Sequence, residues 1–101
     1  MADQSEAAIT RAIMAWLKKQ PDVFAWKVVG STFSRRGLPD IAGNVGTAAL
    51  YLEVKTVKGR LRPSQEVVAA EVASSGARVA VVRSLAEART VVLSLRERQS
   101  S

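Results

Sequence analysis

Apolar residues Ile9, Ile13, Trp16 and Leu17 recur at helical spacing and stop before Pro21, which predicts a first helix opened by an Asp3–Glu6 capping box. At about 100° per residue, Glu6 falls on the same side as that apolar stripe. Taken alone it reads as a first-turn acid favoured by the helix dipole. From Val23 to Val29 the pattern alternates and includes Phe24 and Trp26, which predicts a strand. Gly30–Leu38 is a loop with Arg35 and Arg36 side by side. Pro39 cannot donate within a sheet, so a short strand over Asp40–Asn44 starts at Asp40. Gly43-Asn44 and Gly46-Thr47 mark a turn, and Ala48–Thr56 is the clearest strand. There Leu50, Leu52 and Val54 share one face and Tyr51, Glu53 and Lys55 the other.

Lys58–Pro63 forms a second loop. Ser64 is the expected N-cap of a helix through Ser75, stopped by Gly76. The nearly unbroken apolar run Ala77–Arg83 predicts a strand in the middle of a sheet covered on both faces. A Ser84–Glu87 capping box opens a last helix carrying Leu85, Ala88, Val91, Val92 and Leu95, with fraying expected from Arg96 to Ser101. The order α-β-β-β-α-β-α describes one α/β domain over residues 1–101, a mixed sheet flanked by helices.

With 101 residues, of which 48% are hydrophobic, the chain has the size and composition of one folded domain. It contains no cysteine and no histidine, which removes disulfides, thiolate chemistry, Cys/His zinc sites and any imidazole base. A metal held here is held by oxygen, which favours Mg²⁺, Mn²⁺ or Ca²⁺. The net charge of +6 is concentrated in residues 27–62, where Lys27, Arg35, Arg36, Lys55, Lys58, Arg60 and Arg62 face only Asp40 and Glu53. So local an excess points to a polyanion, most often nucleic acid; a basic surface kept for solubility is the plainer alternative. No apolar run is long enough to span a bilayer and the N-terminus lacks a signal-peptide pattern, so a cytoplasmic protein is expected.

Asp40 and Glu53 sit on two strands that read as a hairpin, so their carboxylates can share a cation. Two carboxylates, a main-chain carbonyl and waters suit Mg²⁺, which keeps several of its waters. Lys55, two residues beyond Glu53, points to the same side, where it can orient an attacking water or offset charge building on a phosphate. A lone Glu-x-Lys carries little weight, because such pairs also balance charge on solvated strands.

The run Gly37-Leu38-Pro39-Asp40, then Glu53-Val54-Lys55, then Gly59-Arg60-Leu61-Arg62-Pro63-Ser64-Gln65 resembles the VRR-NUC (virus-type replication-repair nuclease) domain. That family is a branch of the PD-(D/E)xK restriction-endonuclease-like superfamily. The resemblance extends from Ser5-Glu6 to about Ser84. It implies an αβββαβ core with an added C-terminal helix. It also implies that Asp40, Glu53 and the Val54 carbonyl hold Mg²⁺ or Mn²⁺, with Lys55 as the catalytic lysine. Glu6 would act through water or a second ion, and Gln65 would position the water or Lys55. Without the resemblance, Gln65 reads as an ordinary solvated residue of a first helical turn.

Small members of the family occur in phages and bacteria, form homodimers and resemble Holliday-junction resolvases; larger members prefer flaps and use accessory domains that nothing in this sequence resembles. The resemblance therefore implies a bacterial or phage-infected cell and a metal-dependent endonuclease acting on branched DNA, needing no small-molecule cofactor. Lys27, Arg35, Arg36, Lys58, Arg60 and Arg62 are the expected phosphate-backbone contacts. A catalytically silent nucleic-acid-binding module on the same fold is the alternative, as is a flap- or RNA-directed nuclease. Val23, Phe24 and Trp26, with the first helix, are the expected homodimer surface; the competing reading packs both aromatics beneath that helix.

Overall fold

The structure, a computed structural model, describes residues 4–30 and 34–100. The elements run α1 (Glu6–Lys18), β1 (Val23–Lys27), β2 (Ile41–Val45), β3 (Ala48–Val54), α2 (Pro63–Ser74), β4 (Arg78–Val82) and α3 (Leu85–Ser100). The four strands lie in the order β1-β2-β3-β4; β1, β2 and β3 pair antiparallel and β4 joins β3 in parallel. The expected αβββαβ order with a further helix is the order observed.

The register places Ile41, Val45, Leu50, Leu52, Val54 and Val82 on one face. That face meets Ile9, Ile13 and Leu17 of α1 and Ala88, Val91, Val92 and Leu95 of α3 in a single buried cluster. Burial of these branched side chains contributes on the order of 1.5–3 kcal/mol each relative to exposure. The other face carries Glu53, and α2 packs over it only beside β4.

Several local expectations give way to tertiary structure. Asp3 lies outside the described residues, and the N-cap of α1 is Ser5, whose hydroxyl accepts from the Ala8 N–H. Gly43 and Asn44 are strand residues of β2, and the turn is confined to Gly46-Thr47. A Cβ on Gly43 would collide with the Phe24 carbonyl oxygen, so this glycine serves the close approach of β1 and β2. Arg62, and not Ser64, is the N-cap of α2, because Pro63 takes the first helical position, where its missing N–H costs nothing.

Strand β4 touches helices on both faces, as its apolar run predicts, yet it occupies the edge of the sheet and not its middle. Helix α3 continues through Ser100 in place of the expected fraying. Arg96 grips Asp22 through two bonds of 2.7 Å, and Gln99 bonds the Val45 carbonyl at 2.7 Å and the Thr47 N–H at 3.0 Å. Phe24 and Trp26 do not pack beneath α1. Alternation turns them to the opposite face of β1, where they are 66% and 50% exposed, while Val23 packs against the core.

Candidate active site

The β2–β3 pairing sets the geometry. Ile41 opposes Leu52, so one further step of the same antiparallel register sets Asp40 opposite Glu53. Directly opposed residues have their Cβ atoms about 5 Å apart on one face of the sheet. The Asp40 carboxylate is anchored by the Val54 N–H, which donates to Oδ2 at 2.7 Å. Gly37 fixes the approach to Asp40. Its φ is +84°, and an added Cβ would collide with the Ser64 carbonyl oxygen, so only glycine lets the loop press against the start of α2.

Glu53 and Lys55 are 5% and 8% exposed, deep burial for two ionisable side chains. Lys55 Nζ stands 4.0 Å from Glu53 Oε1 and 3.8 Å from Glu6 Oε1. Glu6 thus meets the site across Lys55 from the first turn of α1. Gln65 is buried, and its amide is committed at both ends. Its Oε1 accepts from the Arg62 N–H at 2.8 Å and its Nε2 donates to Glu53 Oε1 at 3.1 Å. Its contact is therefore the metal-binding candidate Glu53, where the sequence reading gave it the water or Lys55.

Burial pushes the Glu53 carboxyl up to about 8, reinforced by a hydrogen bond and charge repulsion from Asp40 and by the charge of Glu6, with Lys55 pulling the other way. A cation between the two carboxylates would offset that repulsion. Among the described residues no three carboxylates converge on one point. An all-oxygen, two-carboxylate set fits Mg²⁺ or Mn²⁺, which complete their shells with water and substrate oxygens.

The basic residues fall into separate places. Arg35, Arg36 and Arg62 line one cleft with Asp40 and Ser64, between the loop before β2 and the start of α2. Arg35 is already paired with Glu71 at 2.7 Å, which raises the guanidinium and lowers the carboxyl from their ordinary values. Lys58 and Arg60 lie exposed on the loop after β3, and Lys27 is exposed at the end of β1. The sequence reading missed Arg83. Its Nη1 donates to the carbonyl oxygens of Thr56 and, at 2.6 Å, Gly59, pinning the loop that carries Lys58 and Arg60. No local pattern marks it, because the partners lie more than twenty residues earlier in the chain.

Comparison with known proteins agrees with this architecture. The VRR-NUC domain family model matches residues 2–86. Two solved structures of VRR-NUC domain proteins superpose with TM-scores of 0.77 and 0.71, at 18% and 19% identity. They cover 91% and 86% of this chain and 88% and 92% of their own. Hjc, a Holliday junction resolvase of the archaeal hyperthermophile Archaeoglobus fulgidus, superposes with a TM-score of 0.58 at 26% identity, over 77% of this chain and 67% of its own. No curated protein matches in sequence. Motif, register and sheet order thus agree with the match over most of the sequence, and the chain belongs to the VRR-NUC domain family of nucleases.

Proposed function

We propose that the chain is a Mg²⁺- or Mn²⁺-dependent DNA endonuclease that hydrolyses phosphodiester bonds at branch points, four-way junctions foremost. The observation that carries this reading is the register that opposes Asp40 to Glu53 with Lys55 on the same side. Asp40, Glu53 and the Val54 carbonyl would hold the cation. When bound, it would acidify water and offset charge building on the phosphorus. Lys55, whose Nζ lies between the carboxylates of Glu53 and Glu6, would donate to a non-bridging phosphate oxygen or orient the attacking water. Gln65 holds Glu53 in place. Glu6 contributes its charge through Lys55, one contact further from the substrate. Arg36 and Arg62 beside the Asp40 cleft, with Lys58 and Arg60 on the pinned loop, would hold phosphates and leave few groups for reading bases.

A four-way junction is two-fold symmetric, and opposed incisions need two sites, so the working unit would be a homodimer. The similarity to Hjc, a junction resolvase, supports this choice of substrate. The test is incubation with labelled linear, flap and four-way DNAs, with Mg²⁺, Mn²⁺ or chelator, alongside the sedimentation mass. Paired cuts in opposing strands of the junction, only with metal, are expected. A monomer that nicks linear duplex equally well would remove the junction preference, and binding without cleavage would remove the enzyme.

A further inference from the structure

A second groove lies between α1 and the free edge strand β1. It is lined by Thr10, Arg11, Met14 and Lys18 from the helix and by Trp26 and Lys27 from the strand. Three of these six side chains are cations and none is an acid. Arg11, Lys18 and Lys27 are exposed, and none of them pairs with a described carboxylate. Trp26 borders the groove at the edge of β1: it is half exposed, and its ring turns to the face of the strand away from α1, 5.6 Å from that of Phe24, centroid to centroid, and tilted by 47°. The groove starts at the catalytic end of the sheet: Ala7, which follows Glu6, also lines it, and Lys27 opposes Ile41, the neighbour of Asp40.

We propose that this groove binds a single-stranded nucleic-acid segment, with phosphates on Arg11, Lys18 and Lys27 and an unpaired base stacked on Trp26. The inference rests on the nucleic-acid reading above and names a part of the substrate that reading leaves open: unpaired nucleotides leaving a branch. Cations spaced along a groove with an accessible aromatic face are the chemistry that tracks a single strand. Paired bases in a duplex are stacked on each other and would leave the rings unused. A second copy of the chain fits less well, because a two-fold axis through this edge would bring the groups of like charge together in a partly desolvated interface.

The test uses the full chain in chelator, so that nothing is cut, titrated with a labelled oligothymidylate and with a blunt duplex of the same length. Trp26→Ala is expected to weaken oligothymidylate binding about 5- to 100-fold, while duplex affinity stays within about twofold. In a Trp16→Phe protein, which leaves Trp26 as the sole indole, oligothymidylate should quench the emission. Arg11→Ala with Lys18→Ala should lower the salt slope of oligothymidylate binding by about 1.4, two phosphate contacts at ~0.7 each. Unchanged affinity in Trp26→Ala together with unquenched emission overturns the proposal. So does a Trp26→Ala protein whose sedimentation mass halves while its oligothymidylate affinity holds, which would give the face to a second copy. Quenching without cleavage of any DNA would keep the groove and remove the nuclease; metal-dependent cleavage without quenching would do the reverse.

Discussion

Gln65→Met isolates the one side chain that ties α2 to the candidate metal ligand. Methionine fills nearly the same volume, so the change removes hydrogen bonds and little packing. Two bonds go: the 2.8 Å bond from the Arg62 N–H and the 3.1 Å bond to Glu53 Oε1. The first satisfies one of the free donors at the start of α2 and is worth about 1 kcal/mol. Loss of the second leaves a carboxyl that is 5% exposed short of a donor, which costs about 1–3 kcal/mol. The sum is about 2–4 kcal/mol, a large share of the ~5–15 kcal/mol typical of a domain this size. At ~4–8 °C per kcal/mol the midpoint of thermal unfolding should fall by about 8–32 °C. Junction cleavage, measured well below that midpoint, should slow because Glu53 is no longer held, and raising Mn²⁺ should recover part of the rate. A Gln65→Met variant that melts within about 2 °C of wild type and cuts at the same rate would refute this reasoning.

Gly37→Ala should lower both stability and cleavage, since the added methyl collides with the Ser64 carbonyl in a left-handed backbone; thermal melts and junction assays check it. Arg83→Met should free the loop that carries Lys58 and Arg60, seen as faster proteolysis between Thr56 and Arg62 and weaker DNA binding, with metal affinity unchanged. Asp22 is held below its ordinary value of 3.8 by its hydrogen bonds to Arg96, so its contribution is present above that pH and fades as pH falls through the lowered value. Asp22→Asn should therefore destabilise at pH 7 by less than about 1 kcal/mol, the pair being solvent-screened, and the difference from wild type should vanish in acid melts.

What the sequence discloses divides along the range of the interactions involved. The Asp40–Glu53 pairing is legible because a proline, a hairpin turn and alternation fix register locally, and because Glu53 and Lys55 fall two apart on one strand. Gln65 is found only through the family motif; its partner Glu53 is twelve residues away and on another element. Arg83 and the ordered end of α3 are set by contacts that local propensity does not encode. Gly43 shows the opposite failure. It carries a turn signal, yet it is a strand residue because the Phe24 backbone lies where its side chain would be.

The central claim is that Asp40 and Glu53 form one cation site that serves Lys55. Its most direct test is the single-turnover cleavage rate of a labelled four-way junction in Mn²⁺, for wild type and for Asp40→Asn, Glu53→Gln and Lys55→Ala, with Mn²⁺ affinity measured by calorimetry on the same samples. The account predicts that all three variants lose cleavage, and that Mn²⁺ binding is lost in the first two and kept in Lys55→Ala. Wild-type cleavage in chelator, or Asp40→Asn that cuts and binds Mn²⁺ as wild type does, would contradict it.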